Sequence, residues 1–106
     1  MNQLSRKEQI LNMLVGEPHD VFLNYALAME FVSSNELKQA DEQLKKVLSI
    51  KADYLPCFYQ LGQLNEKLGN NNIALTFYKQ GVDLAKSQNN NKALGELNEA
   101  IWMLED

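Results

Sequence analysis

The sequence holds little with which to brace a fold covalently or to perform chemistry. Among its 106 residues there is one cysteine, Cys57, and one histidine, His19. A lone cysteine forms no internal disulfide, which suits a reducing compartment. No second Cys or His stands near it in sequence to activate a thiolate, so a structural thiol is expected. His19 sits in a connection beside Pro18, with no Ser or Cys nucleophile and no second metal ligand nearby. Glycine-rich phosphate loops and CxxC pairs are missing too. The expectation is a noncatalytic chain with no cofactor and no metal.

Two further shortages narrow the partners. Lys and Arg number 10 against 14 Asp and Glu, for a net charge of −4, and no basic run exceeds the pairs Arg6-Lys7 and Lys45-Lys46. Phosphate backbones and anionic membrane surfaces need clustered positive charge, so neither nucleic acid nor a membrane is an expected partner. No apolar run approaches the roughly 20 residues of a membrane span, and the opening segment is too polar for a signal peptide. A cytoplasmic location is expected. With only two prolines, the chain favours helices over a turn-rich all-β fold.

What is present is an ordinary globular balance, 45% hydrophobic and 23% charged, together with 12 asparagines. Helical spacing runs through the chain. Leu37, Ala40, Leu44, Val47 and Leu48 fall on one helical face, as do Phe58, Leu61, Gly62, Asn65 and Leu68. Ala74, Tyr78, Gly81, Val82 and Ala85 form another such set, and Leu94, Leu97, Ile101 and Leu104 the last. Ser5 followed by Glu8 reads as a capping box, Asp20 as a cap, and Pro56 as a first-turn proline. Asn35, Gly69 and the runs Asn70–Asn72 and Asn89–Asn91 mark turns, where Asn tolerates the left-handed conformation and caps helices. Six helices follow, over about 5–16, 21–34, 36–50, 55–68, 71–87 and 91–105. Their short connections imply antiparallel neighbours in an all-α fold.

Shifted by 34 residues, the chain matches itself. Leu27-Ala28 falls on Leu61-Gly62, Asn35 on Gly69, Ala40 on Ala74, Leu44 on Tyr78, Val47 on Gly81 and Leu48 on Val82. Small residues recur where helices must approach closely, and large ones where they fill the space between layers. This pattern resembles the tetratricopeptide repeat, a 34-residue helix–turn–helix unit. Phe58, Leu61, Gly62, Ala74, Tyr78 and Gly81 match its signature in the later unit; Leu27, Ala28, Phe31, Ala40 and Leu44 match it in the earlier one. Asn24, Asn65, Ala52 and Lys86 depart from it.

The resemblance implies a right-handed superhelical array of antiparallel helix pairs, as one domain over 1–106. Its expected parts are a half-repeat helix in 1–20, full repeats over 21–54 and 55–88, and a capping helix in 89–106. Ile10 aligns with Leu44 and Leu14 with Leu48, while Leu94-Gly95 echoes Leu61-Gly62 at a spacing of 33. End helices of an array must turn a polar face outward. Asn2, Lys7, Glu8 and Asn12 at one end, and Glu96, Glu99 and Glu105 at the other, suit that need.

The resemblance also implies a protein–protein interaction module whose first helices line a concave groove for a peptide or protein partner. The groove positions become Phe22, Tyr25, Met29, Val32 and Ser33 in the first repeat, and Pro56, Tyr59, Gln63, Glu66 and Lys67 in the second. The last helix offers Lys92, Glu96 and Glu99. Phe22, Met29 and Val32 have an alternative role, packing against neighbouring helices. Some family members grip a C-terminal carboxylate with Lys and Asn in the groove. Tyr25 and Met29 stand at those positions here, so that clamp is not expected. Trp102 lies off the Leu94, Leu97, Ile101, Leu104 face. Its ring either covers the edge of the preceding helix or marks a self-association surface, as in a homodimer.

Overall fold

The computed structural model describes residues 4–105, which form six helices and no strand. They are α1 (Arg6–Gly16), α2 (Val21–Ser33), α3 (Leu37–Ile50), α4 (Pro56–Lys67), α5 (Asn71–Ser87) and α6 (Asn91–Glu105). None of them is long and apolar enough to cross a membrane. The chain divides between Ala52 and Asp53 into two compact units.

In the first unit α2 packs against both α1 and α3. Helix α1 opens with the expected capping box: Ser5 Oγ accepts from the Glu8 amide and Glu8 Oε1 from the Ser5 amide, both at 3.1 Å. Those bonds hold the Glu8 carboxyl below its ordinary range, the Ser5 backbone bond contributing most. Asp20 caps α2 by accepting from the Leu23 amide at 2.8 Å. Lys7 bends back over the Phe31 ring, 4.9 Å from its centroid, while reaching Glu36. Ile10, Leu27, Ala28, Ala40, Leu44 and Val47 are buried.

Asn24 and Asn65 explain two of the departures from the repeat signature, because both are buried where an aromatic is usual. The Asn24 side-chain amide donates to the carbonyls of Pro18 (3.1 Å) and Asp20 (2.7 Å), and its oxygen accepts from Gln43 at 2.8 Å. One satisfied amide therefore ties the α1–α2 connection to α3. Asn65 donates to the Leu61 carbonyl one turn back, at 2.8 Å.

In the second unit α5 packs against both α4 and α6. Leu55, Ala74, Tyr78, Ala85 and Leu97 form its buried cluster, with Tyr59, Val82, Leu94 and Ile101 among the side chains packed around it. Cys57 is buried, and burial pushes its thiol up to about 12. The three helix ends at Asn35, Gly69 and Asn89 share one geometry. Each residue has positive φ (59°, 80° and 54°). The amide that follows each bonds a carbonyl five residues earlier: Glu36 to Phe31 (2.8 Å), Asn70 to Asn65 (2.8 Å), Asn90 to Ala85 (2.9 Å). These are Schellman turns, and they show why Asn and Gly sit at those positions.

Two expectations change. Leu68, expected on the buried face of α4, is exposed because the helix ends at Lys67 and Leu68 lies at its C-cap. The outer helices are also less polar than expected. Glu8, Asn12, Glu96, Glu99 and Glu105 are exposed, but so are Leu11, Met13 and Val15 of α1 and Trp102 and Met103 of α6. Lys7 is half-buried through its contact with Phe31, and Asn2 lies outside the described residues.

Candidate protein-binding site

The second unit carries an open hollow of about 290 Å³, lined from α4 by Tyr59, Gln63 and Glu66 and from α6 by Glu96, Glu99, Ala100 and Met103. The helical period sets the α4 contribution: Tyr59, Gln63 and Glu66 lie four and three residues apart, hence on one face. Beneath that face lies Tyr78, brought close because Gly62 has no side chain. Three Tyr78 ring atoms lie 2.1–2.5 Å from where a Gly62 Cβ would be.

Tyr78 organises the polar half of the hollow. Gln63 Nε2 donates to its hydroxyl at 2.9 Å, and that hydroxyl donates to the Glu66 carboxylate. Burial, and next the bond to Glu66, raise the Tyr78 phenol well above the ordinary tyrosine range, so it remains a donor at neutral pH. The Tyr59 ring meets Tyr78 with centroids 6.1 Å apart at 51°, a tilted aromatic pair. Tyr59, Gln63 and Glu66 therefore share one buried anchor and lose little freedom on meeting a ligand. The hollow combines three carboxylates with the apolar surfaces of Tyr59, Ala100 and Met103. That arrangement suits binding.

The first unit has a second hollow of about 330 Å³. Arg6, Gln9, Ile10 and Met13 of α1 face Phe22, Leu23 and Ala26 of α2 across it. It is more apolar, with Arg6 as its one charged side chain.

The sequence-derived candidates thus separate. Tyr59, Gln63 and Glu66 come together with Glu96 and Glu99, while Lys67 and Pro56 are exposed outside that lining. Phe22 is 74% exposed and borders the first unit's hollow, so it is not a core residue. Tyr25, Met29 and Val32 are half-buried and line neither hollow. Trp102 is 69% exposed, so its ring does not cover the preceding helix. Sequence reasoning missed Met103 and the anchoring role of Tyr78. The Gly62–Tyr78 pairing was the available signal, since a glycine opposite a large aromatic implies that the ring reaches across.

A family model described as tetratricopeptide repeat matches residues 23–54 and 55–88, more than half of the chain. Among solved structures, a tetratricopeptide repeat domain protein from Salinibacter ruber is 31% identical in its solution structure. That match covers 84% of this chain and 90% of the other, with a TM-score of 0.78. Its crystal structure gives 31% identity, coverage of 81% and 96%, and a TM-score of 0.76. A protein from Bordetella parapertussis shares the fold at 18% identity, with a TM-score of 0.88 over 97% of this chain and 90% of that one. No match is found among curated proteins. With the helix–turn–helix unit repeated, its Gly62–Tyr78 contact formed and its family model matched twice, the chain belongs to the tetratricopeptide repeat family.

Proposed function

We propose that the chain is a noncatalytic protein-interaction module, and that the hollow between α4 and α6 receives a partner segment carrying a basic side chain next to an apolar one. Repeats of this family mediate protein–protein contacts in general. The observation that carries the finer reading is the pre-set wall of Tyr59, Gln63 and Glu66 around the buried Tyr78 hydroxyl. Glu66, Glu96 and Glu99 give the hollow one sign of charge, and Tyr59 and Met103 give it apolar surface. A Lys or Arg side chain matches both, with its aliphatic stem on the aromatic wall and its head among the carboxylates. Phe22, Tyr25, Met29 and Val32 of the first unit remain proposed contact residues.

The test is titration calorimetry with the natural partner, isolated by affinity capture. Wild type is compared with Tyr59→Ala and with the pair Glu96→Gln, Glu99→Gln. Each variant is expected to weaken binding about tenfold or more, as for interface anchors. The glutamate pair should also flatten the salt dependence. Unchanged affinity in both folded variants removes the hollow from the binding surface.

A further inference from the structure

Tyr78 decides which atoms Gln63 and Glu66 turn toward the hollow. Its hydroxyl has a single proton, and that proton goes to one oxygen of the Glu66 carboxylate, Oε2. Gln63 therefore meets the hydroxyl oxygen with its amide N–H, at 2.9 Å, and not with its carbonyl. The direction of both bonds is set by that one proton. Each partner keeps an oxygen uncommitted: Gln63 Oε1 and Glu66 Oε1 have no hydrogen bond among the described residues. Both side chains hang from one buried phenol, so their two remaining oxygens form a fixed pair of acceptors on the α4 wall.

Helix α6 brings Glu96 and Glu99 to the other wall. They lie three residues apart on one helical face, close enough for their like charges to repel. The ion pairs of Arg6, Lys7, Lys45 and Lys79 lie elsewhere, and Glu66, Glu96 and Glu99 meet no cation among the described residues. The hollow's volume of about 290 Å³ lies just below the roughly 300–1,000 Å³ of pockets for drug-sized ligands, which leaves room for one long side chain. An occupant that satisfies the hollow is cationic, donates toward two walls at once, and has a flat surface to offer Tyr59.

We infer that this hollow is a guanidinium site, which selects arginine over lysine in the partner segment. The inference rests on the binding function proposed for the hollow and adds which basic residue it takes. A guanidinium carries five N–H donors in a planar fork. One edge pairs with Gln63 Oε1 and Glu66 Oε1, the remaining N–H groups reach toward Glu96 and Glu99, and the flat face packs on the Tyr59 ring. A lysine ammonium has its three donors on one strongly hydrated nitrogen. It serves one wall and keeps its water on the other. Tyr78 is a positioning residue in this scheme: it touches no ligand and aims the acceptors that do.

NMR titration of the full chain with end-blocked tripeptides, acetyl-Ala-X-Leu-amide, tests this. X is arginine, lysine or citrulline, the last having arginine's shape without its charge. Titration runs to about 20 mM, because ligands this small bind weakly. The arginine peptide is expected to shift the Gln63 side-chain amide and the Glu66 and Glu99 backbone amides, and to bind about fivefold or more tighter than the lysine peptide. The citrulline peptide is expected to leave those resonances in place. In Tyr78→Phe, whose spectrum reports its folding, the two basic peptides are expected to bind alike, because the free oxygens are no longer aimed. A merely structural role for Tyr78 would weaken both in proportion and keep the preference. Gln63→Leu, which leaves the Tyr78–Glu66 bond in place, is expected to narrow the preference as well. Lysine binding as tight as arginine in wild type overturns the inference and leaves the hollow as a site for basic residues of either kind. A preference undiminished in both variants overturns it too. No shift with either basic peptide overturns the inference together with the binding function on which it rests.

Discussion

The ring of Tyr78 occupies the space that a side chain on Gly62 would fill, with Cε1 only 2.1 Å from the Cβ position. This contact packs α5 onto α4 and at the same time delivers the Tyr78 hydroxyl to Gln63 and Glu66. The packing of α5 on α4 and the polar wall of the hollow therefore rest on the same missing methyl group.

Two glycine substitutions should accordingly move stability in opposite directions. Gly62→Ala gains helix propensity but drives a methyl into a buried ring, and overpacking of that kind costs about 1–3 kcal/mol. Gly95→Ala meets nothing within 4 Å and keeps the propensity gain of up to about 1 kcal/mol. Thermal melts of the two variants beside wild type are expected to show a lower Tm for Gly62→Ala and a higher one for Gly95→Ala. Equal shifts would mean that Tyr78 yields without cost.

Removing only the Tyr78 hydroxyl separates packing from binding. Tyr78→Phe retains the ring over Gly62 but leaves Gln63 and Glu66 without their common anchor. The expected stability loss is about 2–4 kcal/mol, because two hydrogen bonds go and one of them is to a carboxylate. The larger effect should be on the hollow: slower partner association or weaker affinity, and broader side-chain amide resonance for Gln63. An unchanged Gln63 resonance would show that the hydroxyl does not fix that wall.

Much of this was legible in the chain because helical repeats write their contacts locally. The capping box at Ser5 and Glu8, the left-handed residues Asn35, Gly69 and Asn89, and the 34-residue match of Leu44 to Tyr78 all depend on neighbours within one turn or one repeat. The Gln63–Tyr78–Glu66 group was hidden because its members are 12 and 15 residues apart, and no local pattern links a helix face to the hydroxyl beneath it. Exposure of Val15 and Trp102 was hidden for another reason. Periodicity tells which face of a helix is apolar, but not whether another helix lies on it.

Asn24 was visible only as a break in the repeat signature, yet it should be costly to remove. Asn24→Leu has similar volume but removes the better acceptor of the Gln43 amide, leaving it only the backbone carbonyl of residue 24 at 3.3 Å, and takes away a donor from the carbonyls of Pro18 and Asp20. Leaving buried groups unpaired costs about 1–3 kcal/mol each. Urea unfolding is expected to show a loss in that range or above it. The double variant Asn24→Leu, Gln43→Leu should recover part of it, because both partners are then apolar. Absence of any recovery would place the energy in the α1–α2 connection instead of the α3 contact.

Alkaline pH should expose the buried thiol. Burial raises Cys57 from an ordinary value of 9.0 to about 12 in the folded chain. Below about pH 9 the thiol is protonated in both states, and its contribution to stability is fully present. As pH rises from about 9 toward 12, the unfolded chain releases the proton first and binds fewer protons than the folded one, so stability falls. Tyr54 and Tyr78, both raised chiefly by burial, add to the decline above their ordinary value of 10.0. Urea midpoints measured at about pH 7 and about pH 10 should therefore drop for wild type and drop less for Cys57→Ala. Because the alanine variant loses packing equally at both pH values, only the difference between the two drops reports the thiol. Identical drops in the two proteins would show that Cys57 ionises as readily folded as unfolded.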